Sequence, residues 1–342
     1  MKFDFCIGNP PYNNEFSDEG NKTYAPPVYN DFLDAANTIA DRVEMIHPAR
    51  FLFNAGSTPK AWNEKMLHDP HFKVLHYEED ATKVFNNTEI KGGIAITYHD
   101  ITKEFGEICI FTKFSELNAV LIKVSKSMIG NLSDIIFTQN RFNLDCLYED
   151  YPDERKHIGS EGKDKRFRNN IFEKISVFTD SPTQKDDIAT LGVVKNKRVT
   201  KYICRKYVEN ENTNLSKWKT LVSRANGSGK FGDIITAPVV LEPFKAYTQT
   251  FIGVGSFDTK EEADNTAKYL KSKFSRAMLG VLKVTQDNDR EVWRMVPLQD
   301  FSDKSDIDWS KSIKEIDQQL YKKYDLSDEE IDFIETHVKE MN

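Results

Sequence analysis

The sequence predicts an α/β fold in its N-terminal third, followed by a mixed α+β region and a helical tail. Residues 1–112 alternate short hydrophobic strand patterns with helix patterns, as α/β domains do. From about residue 113 the segments become irregular and richer in Lys, Arg, Asn and Ser, and helix signals return near the C-terminus. We therefore expect three domains, at residues 1–112, 113–300 and 301–342.

Four strand patterns and two helix patterns fill the first of these domains. The first strand covers residues 3–7 and ends in a Gly-Asn-Pro-Pro turn. Thr58 before Pro59 predicts the N-cap of a helix that reaches about His68. Further strands are predicted at residues 43–46, 74–77 and 94–98, and we expect a mostly parallel sheet. A helix over residues 31–42 is predicted from five apolar residues at helical spacing, Phe32, Leu33, Ala36, Ile39 and Ala40.

Three further signals organise the C-terminal half. The sequence Arg-Ala-Asn-Gly-Ser-Gly-Lys at residues 224–230 predicts a loop. Apolar residues at helical spacing predict one long helix over residues 263–282. Ser327 with Glu330 three positions later has the pattern of a capping box, which predicts the start of a final helix.

The net charge of −7 conceals a basic middle segment. Residues 160–206 hold 12 Lys and Arg residues against 6 Asp and Glu residues, whereas both ends of the chain are acidic. Affinity for nucleic acid depends on local neutralisation of phosphates, so a basic face can serve on an acidic protein. A solvated surface is the alternative interpretation of this segment.

Cysteine and histidine patterns predict no metal site. The four cysteines lie far apart without a Cys-x-x-Cys pair, and the histidines lack the spacing of paired ligands. We also expect no disulfide framework, and a reducing cytoplasm as the location. His47 stands beside the turn at Pro48 and is predicted to be structural. No apolar run approaches the length of a membrane span, so no membrane partner is expected.

The tetrapeptide Asn9-Pro10-Pro11-Tyr12, directly after the first predicted strand, carries the chemical signal. The amino nitrogen of adenine is a poor nucleophile because its lone pair is delocalised into the ring. An enzyme that methylates it has to extrude the base, stack it on flat groups and accept hydrogen bonds from the amino group. Asn9 supplies a side-chain carbonyl, Pro10 a rigidly held backbone carbonyl, and Tyr12 a stacking face. A structural proline turn is the alternative interpretation.

The sequence FDFCIGNPPYN resembles the catalytic motif of the adenine-specific amino-methyltransferases of bacterial restriction–modification systems. The segments at residues 43–51 and 84–94 are similar to the strand, turn and aromatic segment that follow in that family. Towards the C-terminus, residues 269–274, 292–301 and 321–327 resemble fused restriction–modification polypeptides.

This resemblance implies a partial Rossmann-like methyltransferase sheet that uses S-adenosylmethionine as methyl donor and double-stranded DNA as substrate. It implies a catalytic site at Asn9, Pro10, Pro11 and Tyr12. By the same match, Phe85 would stack on the opposite face of the flipped adenine from Tyr12.

The resemblance also places the family's target-recognition region within residues 113–300, where the basic segment lies. Mixed basic and aromatic side chains suit contacts to phosphates with some packing on bases or sugars. The predicted DNA-binding residues are Arg166, Arg168, Lys195, Lys197, Arg198, Lys201 and Arg205.

In this family the cofactor binds at a glycine-rich FxGxG turn that lies upstream of the catalytic tetrapeptide. Only eight residues precede Asn9, so we expect the cofactor-binding half to come from another polypeptide or from a longer system of which this is a fragment. The first strand would then present an unpaired edge to a partner or to a second copy. Gly253 and Gly255, in the sequence Phe-Ile-Gly-Val-Gly, are the internal candidate for cofactor binding, although no further strands follow them. The alternative function is a non-catalytic DNA-binding specificity component or an anti-restriction remnant.

Overall fold

The computed structural model describes residues 3–13, 26–85, 90, 92–211, 213–227, 229–283 and 285–341. The chain divides into two compact units, Met1–Lys126 and Ser127–Asn342. Each unit combines helices with β-sheet, which confirms the expected mixed α/β character. The functional division at residues 112 and 300 stays a prediction.

The first unit is built on one four-stranded sheet with helices beside it. Two 3-10 turns, Arg50–Phe53 and Ala81–Lys83, follow its second and third strands. The last helix ends one residue into the second unit. Its strands are β1 (Phe3–Gly8), β2 (Ala40–Pro48), β3 (Phe72–Glu78) and β4 (Ile94–Asp100), and its helices are α1 (Tyr29–Ile39), α2 (Lys60–Leu67) and α3 (Ser115–Ser127).

The strand order across this sheet is β1-β2-β4-β3. β1 and β2 are parallel, whereas β4 runs antiparallel to both β2 and β3. The expectation of a mostly parallel sheet was therefore wrong. The described part of the connection between β3 and β4 contains only a single 3-10 turn, and a return without a helical crossover produces antiparallel neighbours.

α1 is shorter than its apolar pattern predicted. It ends at Ile39, and Ala40 already begins β2. Leu33 and Ala36 are buried as expected, but Phe32 and Ile39 are exposed. The buried stripe runs instead through Tyr29, because the helix starts two residues earlier than the periodicity suggested.

α2 begins near the predicted position with a different cap. Pro59 occupies the N-cap position, and no side chain bonds to the first turn. The Thr58 hydroxyl donates instead to the Asn63 side-chain carbonyl at 2.7 Å, so it does not cap the helix as predicted. The helix ends at Leu67, one residue before the predicted end.

An aromatic cluster fills the core of the first unit at the carboxyl end of β2. The ring of Tyr29 stacks on that of His47 with centroids 5.5 Å apart and planes 3° from parallel. Phe51 lies 4.9 Å from Trp62 and 5.4 Å from His47, measured between ring centroids. Aromatic pairs at these separations stabilise a core beyond their buried area. The cluster therefore ties α1 and α2 to the end of β2.

The second unit contains two sheets and seven helices within its described residues. Its strands are β5 (Ile136–Phe137), β6 (Ile188–Val194), β7 (Lys197–Ile203), β8 (Trp218–Ser223), β9 (Val239–Leu241), β10 (Lys245–Tyr247) and β11 (Phe251–Phe257). The three-stranded sheet has the order β10-β6-β7, and the four-stranded sheet has the order β5-β11-β8-β9. The helices of this unit are α4 (Leu144–Asp150), α5 (Gly159–Gly162), α6 (Ile171–Lys174), α7 (Lys260–Lys271), α8 (Lys273–Gly280), α9 (Ile313–Lys323) and α10 (Asp328–His337).

The long helix predicted over residues 263–282 is broken into α7 and α8 at Ser272. The Ser272 hydroxyl accepts the Ser275 N–H, and the Asp317 carboxylate accepts the N–H groups of Lys273 and Phe274 at 3.0 and 2.9 Å. These bonds satisfy the free N–H groups at the start of a new helix. Apolar residues keep helical spacing through the break, so the periodicity of the sequence predicts one continuous helix. The capping box of Ser327 and Glu330 at the start of α10 is confirmed.

A buried lysine holds the connection into β8. Lys219 is fully buried, and its ammonium donates to the backbone carbonyls of Asn214, Leu215, Lys217 and Glu242 at 3.0 to 3.2 Å. Burial lowers the pKa of Lys219 to about 7, while the four carbonyl dipoles favour the charged form.

Among the helices of the described residues, none is long and apolar enough to cross a lipid bilayer.

Candidate functional site

The tetrapeptide Asn9-Pro10-Pro11-Tyr12 lies at the carboxyl end of β1. Gly8, the last residue of β1, pairs with Met45 of the parallel β2, and a Cβ at Gly8 would lie 3.2 Å from the Met45 sulfur. Asn9 is exposed and Pro10 is buried. The backbone of this turn is thus anchored by β2 and by Pro10, while the Asn9 side chain faces solvent and is available to a ligand.

Tyr12 is held by the segment that leads into α1. Its carbonyl accepts the Val28 N–H at 3.1 Å, and Asn13 forms a β-bridge with Pro27. The side chain is half-buried, and its hydroxyl is buried without a hydrogen-bond partner among the residues that the structure describes. Burial raises the pKa of this phenol, so the neutral form that stacks well is favoured.

Phe85 emerges at the same end of the sheet as Tyr12. β3 runs in the same direction as β1. β1 is parallel to β2, and β4 is antiparallel to both β2 and β3, so β1, β2 and β3 all point the same way. Phe85 follows β3 through the 3-10 turn, and its N–H donates to the Ala81 carbonyl at 2.9 Å. No ring contact joins Tyr12 and Phe85 in the described part of the chain. Residues 86–89 and 91 of the predicted stacking segment lie outside the described residues.

β1 is an edge strand with a bare apolar face. In the described part of the chain its one strand neighbour is β2. Phe3, Phe5 and Ile7 alternate along one face and are 53%, 56% and 74% exposed, with the Arg42 guanidinium 5.0 Å from the Phe5 ring centre. Unpaired edges and exposed apolar rows are features that folded proteins normally cover.

The internal cofactor candidate, Gly253 and Gly255, lies within β11 rather than in a turn after a strand. β11 is hydrogen-bonded to β5 on one side and to β8 on the other. A Cβ at Gly253 would collide with the Tyr247 hydroxyl, and one at Gly255, where φ is +83°, would collide with the Phe257 ring. Packing of two aromatic side chains therefore accounts for both glycines, and their assignment to a cofactor stays a prediction.

Several of the predicted DNA-binding side chains already have partners. Asp164 is buried and accepts from Arg166 at 2.7 Å and from Arg168 at 2.5 Å. The hydrogen bonds from Arg166 are the main reason that the pKa of Asp164 falls to about 2. Lys201 pairs with Asp180 at 2.9 Å. The guanidinium of Arg205 lies over the ring of Phe244 at 4.5 Å.

The other predicted basic residues gather at the tip of the β6–β7 hairpin. Lys195 and Asn196 form its two-residue turn, both with positive φ (47° and 61°), as the tight turns of twisted hairpins require. Lys195 and Lys197 have no ion-pair partner among the described residues, and Arg198 lies 5.8 Å from the ring centre of Phe251. A two-stranded ribbon with a basic tip is an element that the major groove of DNA can admit.

The first unit is thus an α/β domain that carries Asn9-Pro10-Pro11-Tyr12 at the carboxyl end of its edge strand β1. The sequence model of the Eco57I restriction-modification methylase family matches residues 1–85, which include β1, the tetrapeptide, β2 and β3. In this N-terminal region the chain is similar to restriction-modification methylases, which confirms the predicted resemblance.

Alignments with two other proteins cover more of the chain than residues 1–85. An "Uncharacterized adenine-specific methylase" of Mycoplasma pneumoniae is 31% identical over an alignment of 146 positions, which covers 40% of this chain. The alignment covers 34% of that relative, so the chain matches about a third of its length. The solved structure "ATP-dependent Type ISP restriction-modification enzyme LlaBIII bound to DNA" aligns over 98% of this chain and 29% of that one, with 9% identity. Its TM-score of 0.24 is too low to carry an argument about the fold.

His47, next to the site, should make the first unit sensitive to acid. Its Nε2 lies 2.7 Å from the Thr97 hydroxyl, and burial lowers its pKa to about 4. The unfolded chain binds a proton at this imidazole below about pH 6.5, whereas the folded unit stays neutral there, so stability is lost as the pH falls. Between pH 7 and pH 5 the free energy of unfolding should fall by about 2 kcal/mol.

Hydrogen exchange of peptides from β2, measured by mass spectrometry at both pH values, tests this expectation. His47→Gln should remove the difference, whereas the control His76→Gln, on an exposed residue of β3, should keep it. An equal loss of protection in the His47→Gln protein would contradict the assignment.

Proposed function

We propose that this chain carries the target-base pocket and the DNA-recognition region of an adenine-specific DNA methyltransferase of a restriction–modification system. The observation that carries this proposal is the position of Asn9-Pro10-Pro11-Tyr12 at the carboxyl end of β1, inside the region that matches the methylase family. Ligands of open α/β sheets bind at the carboxyl ends of their parallel strands.

The exposed Asn9 amide would accept a hydrogen bond from the adenine amino group, and the Pro10 carbonyl would accept a second one. Two acceptors favour a pyramidal nitrogen, which frees its lone pair for attack. Tyr12 and Phe85 would stack on the two faces of the extruded base, and Pro11 would hold the turn rigid. Base extrusion costs a few kcal/mol, which stacking of this kind helps to offset.

S-adenosylmethionine would supply the methyl group. None of the described residues is assigned to it, since Gly253 and Gly255 are used for packing. The bare edge and apolar face of β1 suggest where a cofactor-binding segment would attach, either from another polypeptide or from a further part of a longer one. A second copy of this chain at the same edge is the alternative occupant. A cytoplasmic location belongs to this proposal.

The second unit would supply DNA recognition through the tip of the β6–β7 hairpin. Lys195, Lys197 and Arg198 lie at or beside this tip and have no carboxylate partner among the described residues. Arg205 has none there either, but its guanidinium lies over the Phe244 ring. Arg166 and Arg168 would contribute less, because Asp164 already neutralises part of their charge. The recognition role of all seven basic residues stays a proposal.

In the presence of the polypeptide that completes the cofactor site, Asn9→Ala should lower transfer of labelled methyl groups into duplex DNA at least about a hundredfold, as the loss of a hydrogen-bonding group that acts on the reacting centre does. DNA affinity should not change, because the side chain contacts only the extruded base. The matched control is Asn13→Ala, on an exposed asparagine of the same loop, which should keep its activity. Full activity in Asn9→Ala would contradict the catalytic role, and an inactive unmodified protein under all conditions would favour the non-catalytic alternative.

The unmodified chain alone should bind S-adenosylmethionine more weakly than micromolar, and addition of the completing polypeptide should restore tight binding. Isothermal titration with and without candidate partners encoded beside it measures both. Micromolar affinity of the chain by itself would show that the cofactor site needs no partner.

Replacement of both Lys197 and Arg198 by Glu should weaken DNA binding and reduce the salt dependence of the affinity by about two counterions. The control pair, Lys174→Glu with Lys185→Glu, makes the same charge change on exposed residues of the same basic segment outside the hairpin. Fluorescence anisotropy at several salt concentrations gives both slopes. Equal slopes for the two variants would remove the hairpin from the interface.

A further inference from the structure

Three side chains of different chemistry converge in the first unit, away from the tetrapeptide. They are His68 at the end of α2 and Glu107 and Cys109 in the segment between β4 and α3. One ligand atom from each lies within 4.8 Å of the other two. His68 and Glu107 are exposed and Cys109 is partly exposed, so an ion from solvent can reach all three.

The distance between two of these ligand atoms already suits the binding of one cation by both. The Cys109 thiol donates to the Glu107 carboxylate with 3.5 Å between sulfur and oxygen. Two ligands of one tetrahedral zinc ion, bound at about 2.3 Å through sulfur and about 2.0 Å through oxygen, stand about 3.5 Å apart. The thiol proton thus occupies the place between the two ligand atoms that a cation would take.

Backbone contacts hold the two segments together. The Cys109 N–H donates to the Leu67 carbonyl at 2.9 Å, which places Cys109 beside the residue that precedes His68. His68 Nδ1 lies 2.9 Å from the Glu64 carbonyl, an acceptor, so this nitrogen carries the proton and Nε2 keeps the lone pair. A metal-binding histidine is commonly oriented by a bond of this kind from its other ring nitrogen.

We propose that His68, Glu107 and Cys109 form a site for a zinc-class divalent cation, with water as the fourth ligand. The combination of thiolate, imidazole and carboxylate favours zinc or cobalt over magnesium and calcium, which prefer oxygen ligands alone. On binding, Cys109 releases its thiol proton to solvent and the ion takes its place. The bound ion fastens the end of α2 to the segment between β4 and α3.

No pattern in the sequence indicates this site. Two of its ligands are two positions apart, but the third lies almost forty residues earlier, and no pair of cysteines or histidines is involved. Proximity arises from the backbone bond between Cys109 and Leu67, which only the fold provides.

Titration of the reduced, metal-free full chain with Co²⁺ tests the proposal. We expect one ion per chain, a thiolate-to-cobalt charge-transfer band in the near ultraviolet and visible bands of tetrahedral intensity, with zinc displacing the cobalt. Cys109→Ser should abolish the charge-transfer band. His68→Gln and Glu107→Gln, both on exposed residues, should each weaken binding about tenfold or more.

The matched control is Cys146→Ser, which removes a half-buried thiol from the second unit and should leave the spectrum unchanged. Circular dichroism establishes that each variant is folded, and the two exposed substitutions carry the test if Cys109→Ser does not fold. Absence of the band in the unmodified chain, its survival in Cys109→Ser, or unchanged affinity in both exposed variants would overturn the proposal.

Discussion

The parallel pairing of β1 with β2 is the contact on which the candidate site depends. β1 has no second strand neighbour in the described residues, so the register from Phe3–Ala40 to Gly8–Met45 fixes where the strand ends. β2 in turn is held by seven residue pairs with β4 and by the aromatic cluster at its carboxyl end. The position of Asn9 therefore depends on that of β2, and a disturbance in the core around His47 would reach the tetrapeptide through this pairing and through the bond of Tyr12 to Val28.

Three buried charged side chains of the second unit are each held by several hydrogen bonds or ion pairs. The Lys219 ammonium donates to four backbone carbonyls, and the Asp317 carboxylate accepts hydrogen bonds from two N–H groups at the start of α8. Asp164 forms ion pairs with two arginines. A buried group left without such partners costs a few kcal/mol, so each arrangement specifies one local chain path. These groups fix the loops of the second unit, where short strands and short helices provide few regular hydrogen bonds.

Strongly periodic segments could be predicted from the sequence, and local chemistry that depends on distant residues could not. β1, β3 and β4 were predicted within two residues of their ends, because alternation and turn residues agree there. The break at Ser272 was missed since it depends on Asp317, and the partners of Arg166 and Arg168 were missed since charge counts ignore pairing. Gly253 and Gly255 matched a cofactor pattern because the same letters also make room for aromatic rings. The tetrapeptide was identifiable because its chemistry lies in four consecutive residues.

The four backbone carbonyls around the Lys219 ammonium hold several loops of the second unit together without a bound ion. Loops that converge through their carbonyl oxygens are often held by a bound ion, which can dissociate and whose occupancy follows its concentration. Here the positive charge is covalently part of the chain. The junction between these loops consequently needs no bound metal ion, and a chelator has nothing to remove from it.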